Sequence, residues 1–332
     1  MGVKDNIWKV IKYVLSVSVA AVLVYFAFRG TDWKAFLDGL AGTDWRFIAL
    51  SVVVALAALW FREERWRCQL VLLDPAITRF SVWHGSNVGN LLNVVLPGVG
   101  EFTRCGYVST KKAGYDRTLG TILMERSWDV LAVAFLLVLA MVTNRETIIP
   151  FMRENVLAPF LERFSFSLWW VVAVVCILSA VGLWTIFRLS SRNAACAELS
   201  GWIKGIFTGF SSFGKMGKKP LFIFYTAMIW VMYILMTYFT FKAVPGLAHL
   251  SFTDAIFISA IGNIASVIPT PGNIGPYHYL VGLSVSTIYL HSSAMTATGL
   301  LCATLSHGTH AILIIILGIE SYIRISFKKK TA

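Results

Sequence analysis

The sequence predicts an all-α polytopic membrane protein with about six full transmembrane helices and two broken re-entrant hairpins forming an inverted pseudo-repeat. Three observations carry this expectation. Of the 332 residues, 57% are hydrophobic and only 14% charged, a balance that water-soluble domains do not reach. Apolar runs long enough to cross about 30 Å of hydrocarbon recur along the whole chain. Two stretches also share a pattern: GNLLNVVLPGVGEFTRCG at residues 89–106 and GNIASVIPTPGNIG at 262–275. Each opens on Gly-Asn, runs through a short apolar segment and breaks at Pro-Gly.

The breaks organise the rest. Proline lacks a backbone donor and glycine adds freedom, so Pro97-Gly98 and Pro269, Pro271, Gly272 and Gly275 interrupt any helix that contains them. In hydrocarbon the freed backbone groups must face protein or a water-filled cavity. Paired, interrupted apolar segments in the two halves of a membrane protein point to a transport site.

Taken in order, the first apolar run, residues 11–28, follows Lys4, Lys9 and Lys12 and lacks a small-x-small cleavage site, so it reads as an uncleaved span. A charge-balanced loop leads to a second span, apolar from Trp45 to Phe61. This span continues into Arg62, Glu63, Glu64, Arg65 and Arg67, read as the helix emerging into the interface, with Trp60 and Trp66 in the aromatic belt. The first broken element covers about residues 81–109, and a third span 118–142. A balanced loop then leads to a fourth span, 167–187.

Residues 188–219 set Arg188, Arg192, Lys204, Lys215, Lys218 and Lys219 against the single acid Glu198. Apolar Leu199, Trp202, Ile203, Ile206, Phe207 and Phe210 recur there at helical spacing. An amphipathic helix on the anionic cytoplasmic leaflet is the expectation. A fifth span (221–241), the second broken element (252–290), a last span (294–319) and a basic tail complete a single domain, 1–332. Basic segments precede the first span, follow the second and fourth, and end the chain. The positive-inside rule then sets both termini in the cytoplasm. The first broken element enters from that side and the second from the other.

Intramembrane charges are the next clue, because each is costly unless partnered. Glu101 and Arg104 follow the first break. On the third span Glu125 and Asp129 share a face at i, i+4, and Arg126 reaches Asp129 at i, i+3. Arg104 and Arg126 could hold a phosphate as bidentate donors. Amides at Val99, Gly100 and Glu101 would add the positive end of a half-helix, and Asn93 a polar side chain before the break. The alternative is that these charges only clamp two helices together. The second break offers neutral chemistry: Thr270, Asn273, Tyr277 and His278, suited to a hydroxylated headgroup or to gating. His307 and His310 share one face of the last span and read as hydrogen-bonding groups between helices.

Some classes are excluded. Cys68, Cys105, Cys176, Cys196 and Cys302 form no C-x-x-C, and no H-E-x-x-H occurs. No metal and no cofactor are expected. Neither a P-loop nor a G-x-S-x-G elbow is present, so a transporter is expected rather than an enzyme. The net charge of +12 follows from basic cytoplasmic loops, and no nucleic-acid partner is expected.

The run NLLNVVLPGVGEFTRCGYVS, followed by residues 119–131 with their Glu-Arg-x-x-Asp, resembles the first signature of the lysylphosphatidylglycerol synthase transmembrane family. IPTPGNIGPYHYLVGL resembles the second. This family is the flippase-like membrane region of the multiple peptide resistance factor. The resemblance implies a multi-pass protein of the bacterial inner membrane that moves lipids between leaflets. Aminoacylated phosphatidylglycerol and isoprenoid-linked lipids are among the substrates it suggests. Position by position it points to Asn93, Pro97, Gly100, Glu101, Arg104, Glu125, Arg126, Pro271, Gly272 and Gly275. The sequence departs from the family pattern in two ways. It holds no aminoacyl-transferase domain, and it reads Pro276-Tyr277-His278 where an acid is common, which argues against a cationic headgroup.

The expected function is therefore translocation of a phosphate-bearing or otherwise anionic lipid. The alternative is a non-transporting scaffold or accessory subunit for a lipid- or glycolipid-modifying enzyme encoded elsewhere. A transferase using Glu101 or Glu125 as base lacks any visible donor-binding motif. Partners left open are a second copy of the chain and such an enzyme.

Overall fold

The computed structural model describes residues 28–153, 193–266, 268–292 and 295–331, with scattered helical positions between 14 and 25 and between 177 and 190. The expected first and fourth spans fall mostly outside these residues. In order, the helices are α1 (Trp33–Ala41), α2 (Trp45–Leu73), α3 (Arg79–Val95), α4 (Val99–Val108), α5 (Tyr115–Thr143), α6 (Arg145–Met152), α7 (Ala194–Phe210), α8 (Lys219–Ala243), α9 (Phe252–Ala265), α10 (Pro276–Ser284) and α11 (Ala297–Thr331). Every regular element among the described residues is helical. Four of them, α2, α5, α8 and α11, are long and apolar enough to cross a membrane.

The elements start where the sequence supplies caps. Asp32 accepts from the Ala35 amide and Asp44 from the Arg46 amide, each at 3.0 Å, satisfying donors that a first turn leaves open. The loop after the first run is thus partly a short helix, α1. Helix α2 runs past Phe61 as expected but does not surface there: Glu63, Glu64, Arg65, Trp66, Gln69 and Leu70 are all buried. Trp66 is therefore not a belt residue. Its Nε1 donates to Thr121 Oγ1 on α5 at 2.8 Å, and it belongs to a core with Leu70, Val82, Cys105 and Ile122. Only Trp60 remains exposed. The apolar stripe through Leu59, Trp66 and Leu70 continues across the charged run and keeps this end of α2 against protein.

The first broken element is a helical hairpin. Leu96, Pro97 and Gly98 end α3, with Gly98 at φ +80°, a conformation glycine adopts without strain. Helix α4 doubles back along α3 so tightly that a Cβ on Gly100 would lie 2.0 Å from the Gly89 carbonyl oxygen. Asn93 Oδ1 accepts from the Gly100 amide at 2.8 Å and caps the returning helix. At about 26 Å and about 15 Å, neither arm reaches the roughly 30 Å of a bilayer core. Beside this hairpin, Asp74 locks the turn between α2 and α3. It accepts from Thr110 Oγ1 at 2.7 Å and the Ala76 amide at 3.0 Å. The Thr110 hydroxyl first, and then the Ala76 amide, hold its carboxyl below the usual carboxylate range.

The second broken element follows the same plan. A reciprocal capping box of Ser251 and Asp254 opens α9. After Ala265 the chain passes through a 3-10 turn at Pro271–Asn273 and returns as α10. Asn273 Nδ2 donates to Ser266 Oγ at 2.9 Å across this break. A larger core of Trp230, Phe241, Phe257, Val281 and Leu300 surrounds the element. The two breaks meet: the Cβ position of Gly272 lies 3.5 Å from the Val94 carbonyl oxygen at the end of α3. Helix α11 lies against both hairpins. Ser306 bonds Tyr277 of α10 at 2.9 Å, and Ser321 bonds His84 of α3 at 2.9 Å.

The basic segment 188–219 contains the expected helix, α7. It lays Gly205 and Gly209 against Asp116, Arg117 and Gly120 of α5. One face is therefore given to protein, while Leu199, Trp202, Phe207 and Phe210 stay exposed.

Gly100→Ala is expected to force α4 off α3 and cost roughly 1–3 kcal/mol, the range of core overpacking. Thermal unfolding in detergent measures it. Gly106→Ala, where a Cβ meets open space, is the neutral control.

Candidate functional site

The charged residues singled out in the sequence come together, and Arg65 of α2 joins them. Arg104 Nε meets Glu101 at 2.7 Å and its Nη2 meets Glu125 at 3.0 Å. Glu101 also binds Arg126, which lies 3.9 Å from Asp129. Asp129 accepts from Arg65 at 2.8 Å, and Arg65 reaches Glu125 at 3.5 Å. The six side chains form a closed ring in which cations and anions alternate. It joins α2, α4 and α5 and carries no net charge. The Trp66 ring lies 4.4 Å beneath the Arg104 guanidinium, adding a cation–π contact.

Burial grades the ring. Arg65, Arg104 and Glu125 are almost wholly covered, whereas half of the Arg126 side chain is exposed. Alternation is what makes such burial tolerable. An isolated charge at this depth is costly, and removing one partner strands another.

The exposed side of the ring faces a cavity of about 870 Å³, walled by both hairpins together with α2, α5, α8 and α11. Of the residues the sequence singled out, Asn93, Glu101, Arg126, Asp129, Asn273 and Tyr277 line it, as do Pro97, Gly98, Pro269 and Gly272. Arg104 and Glu125 sit behind the wall, in the ring. Gly100 is not open to a ligand: its amide is taken by Asn93, and the Val99 amide bonds Leu96 at 3.2 Å. The half-helix dipole expected to face an anion there is thus already capped. His278 is buried away from the cavity lining, beside His307 at 5.2 Å and Phe28 at 6.0 Å between ring centroids. Pro271 shapes the 3-10 turn, and Gly275, at φ +99°, the entry to α10.

The cavity lining is chemically mixed. Part of the lining carries the ring and Arg62. The rest is neutral and polar, with Thr270, Asn273, Tyr277, Ser306, His307 and His310. Among the described residues, buried Thr270 Oγ1, Asn273 Oδ1 and His310 Nδ1 have no hydrogen-bond partner, so these groups can take the hydroxyls of a ligand. Among the described residues no group of three His, Cys, Asp or Glu side chains is placed to hold a metal.

Sequence reasoning missed Arg62 and Arg65 by placing them at the interface. Their spacing of i, i+3, between the buried stripe positions Leu59 and Trp66, was the available signal.

The family described as Lysylphosphatidylglycerol synthase TM region matches residues 13–318. The chain belongs to this family. It is a membrane-embedded, multi-helix protein of a kind associated with lipid handling. Comparison with curated proteins and with solved structures gave no match.

Arg104→Ala is expected to destabilise the fold by roughly 3–5 kcal/mol, because Glu101 and Glu125 each lose a buried partner. Adding Glu125→Ala should then cost less than it does alone. A double-mutant cycle of thermal unfolding in detergent reads the coupling.

Proposed function

We propose that the protein translocates a phosphate-bearing or otherwise anionic lipid between the leaflets of a bacterial inner membrane, without a chemical step. The observation behind this reading is the cavity that both helix breaks border. Its volume falls within the roughly 300–1,000 Å³ of small-molecule sites, enough for a lipid headgroup. Its lining joins charged groups, with the exposed face of Arg126, to neutral groups fit for glycerol or sugar hydroxyls. Anionic phospholipids, aminoacylated phosphatidylglycerol and isoprenoid-linked lipids are the substrates to compare.

The hairpins supply the moving parts. Each is too short to span the bilayer, and with both termini in the cytoplasm they act as re-entrant elements of opposite orientation. An inverted pair around one site suits alternating access. The basic segment 188–219 rests on the anionic cytoplasmic leaflet, its exposed apolar face in the headgroup layer.

Sealed proteoliposomes with labelled anionic, zwitterionic, aminoacylated and isoprenoid-phosphate lipids test this. Protein-dependent movement of an anionic class is expected. Ala134→Trp and Ala311→Trp, which fill the cavity from two different helices, should return it to the protein-free rate. Unchanged movement in both filled variants, or none with wild-type protein, would sink the reading.

A further inference from the structure

We propose that Arg62, rather than the arginines of the ring, holds the substrate's phosphate, and that the site is matched to a headgroup with one net negative charge, a phosphodiester. This deepens the translocator reading and rests on it. Five charged side chains line the cavity: Arg62, Arg65, Glu101, Arg126 and Asp129. Arg104 and Glu125 stand directly behind them. Among the lining residues and the ring, four cations therefore meet three anions, with Glu63 outside both.

The three acids are already used. Glu101 is shared by Arg104 and Arg126, Glu125 by Arg104 and Arg65, and Asp129 by Arg65 and Arg126. Each ring arginine thus has two carboxylate partners, and a phosphate could recruit one only by displacing them. Arg62 is the cation left over. It lies one turn before Arg65 on the same helix, lines the same cavity, and forms no ion pair or hydrogen bond among the described residues. The adjacent acid, Glu63, attracts Arg62 through space but forms no ion pair with it and does not line this cavity. Ser86 donates to Glu63, which lines a separate pocket of about 260 Å³.

Charge then selects the ligand. A free guanidinium offers a planar fork of donors that fits phosphate oxygens in pairs. A phosphodiester carries one negative charge, so the loaded cavity becomes neutral, the least costly state for a site in low dielectric. A phosphomonoester, at about −1.5 to −2, overshoots. A zwitterionic headgroup leaves one positive charge in the cavity, and a headgroup with net charge +1 leaves two.

The test measures binding and transport separately on the full chain. Purified protein in detergent is titrated with phosphatidylglycerol, phosphatidate, phosphatidylethanolamine and lysylphosphatidylglycerol, with bound lipid counted by native mass spectrometry. Phosphatidylglycerol is expected to bind tightest. Arg62→Gln should weaken that binding by about tenfold or more, the scale of a lost charge-assisted hydrogen-bond pair. Arg62→Lys should retain part of it. Unchanged binding in Arg62→Gln overturns the proposal whatever transport does. Equal wild-type binding of the monoester or zwitterion overturns it even if Arg62→Gln fails to fold. Arg62-dependent binding without movement in proteoliposomes would keep the site and remove the translocator reading instead.

Discussion

The closed ring of Arg65, Glu125, Arg104, Glu101, Arg126 and Asp129 is the interaction on which the rest of the structure depends. Only 14% of the chain is charged, yet six of those residues converge where α2, α4 and α5 meet. Each alone would cost at least about 2.5–3.5 kcal/mol in the middle of a bilayer. Alternation gives every charge two opposite neighbours, so the cost is offset only when all three helices are in place. The ring thereby helps to fix the short arm of the first hairpin.

From that fixed point the cavity follows. Helix α4 is held on one side by the ring and on the other by the Gly89–Gly100 approach and the Asn93 cap. This places the first break against the second, where Gly272 meets the end of α3. Residues of both breaks line the cavity that remains open beside this contact. Its lining is chemically mixed because one break is followed by Glu101 and the other by Tyr277.

Much of this was legible in the sequence, and the gaps have physical causes. The i, i+4 spacing placed Glu125 and Asp129 on one helical face, the i, i+3 spacing put Arg126 within reach of Asp129, and Pro97 and Pro271 marked the breaks. Arg65 and Trp66 were misread because a charged run after an apolar span has two solutions. It can leave the membrane, or it can find counter-charges within the protein. Local pattern does not distinguish them; the partners Asp129 and Thr121 lie more than fifty positions away. The Gly100 amide was misread for a related reason. Its cap, Asn93, comes from the preceding helix and is brought close only once the hairpin has closed. The helix in 188–219 was visible in its periodicity, but the face it gives to α5 was not.

Helix α11 adds a mechanical consequence. Its backbone is notched at both ends: a Cβ on Gly299 would lie 2.5 Å from the Gly282 carbonyl oxygen, and one on Gly318 would lie 2.5 Å from Leu91. One hairpin rides in each notch of a single rigid rod. A tilt of this one helix would carry both breaks with it, so the two hairpins are mechanically coupled through α11.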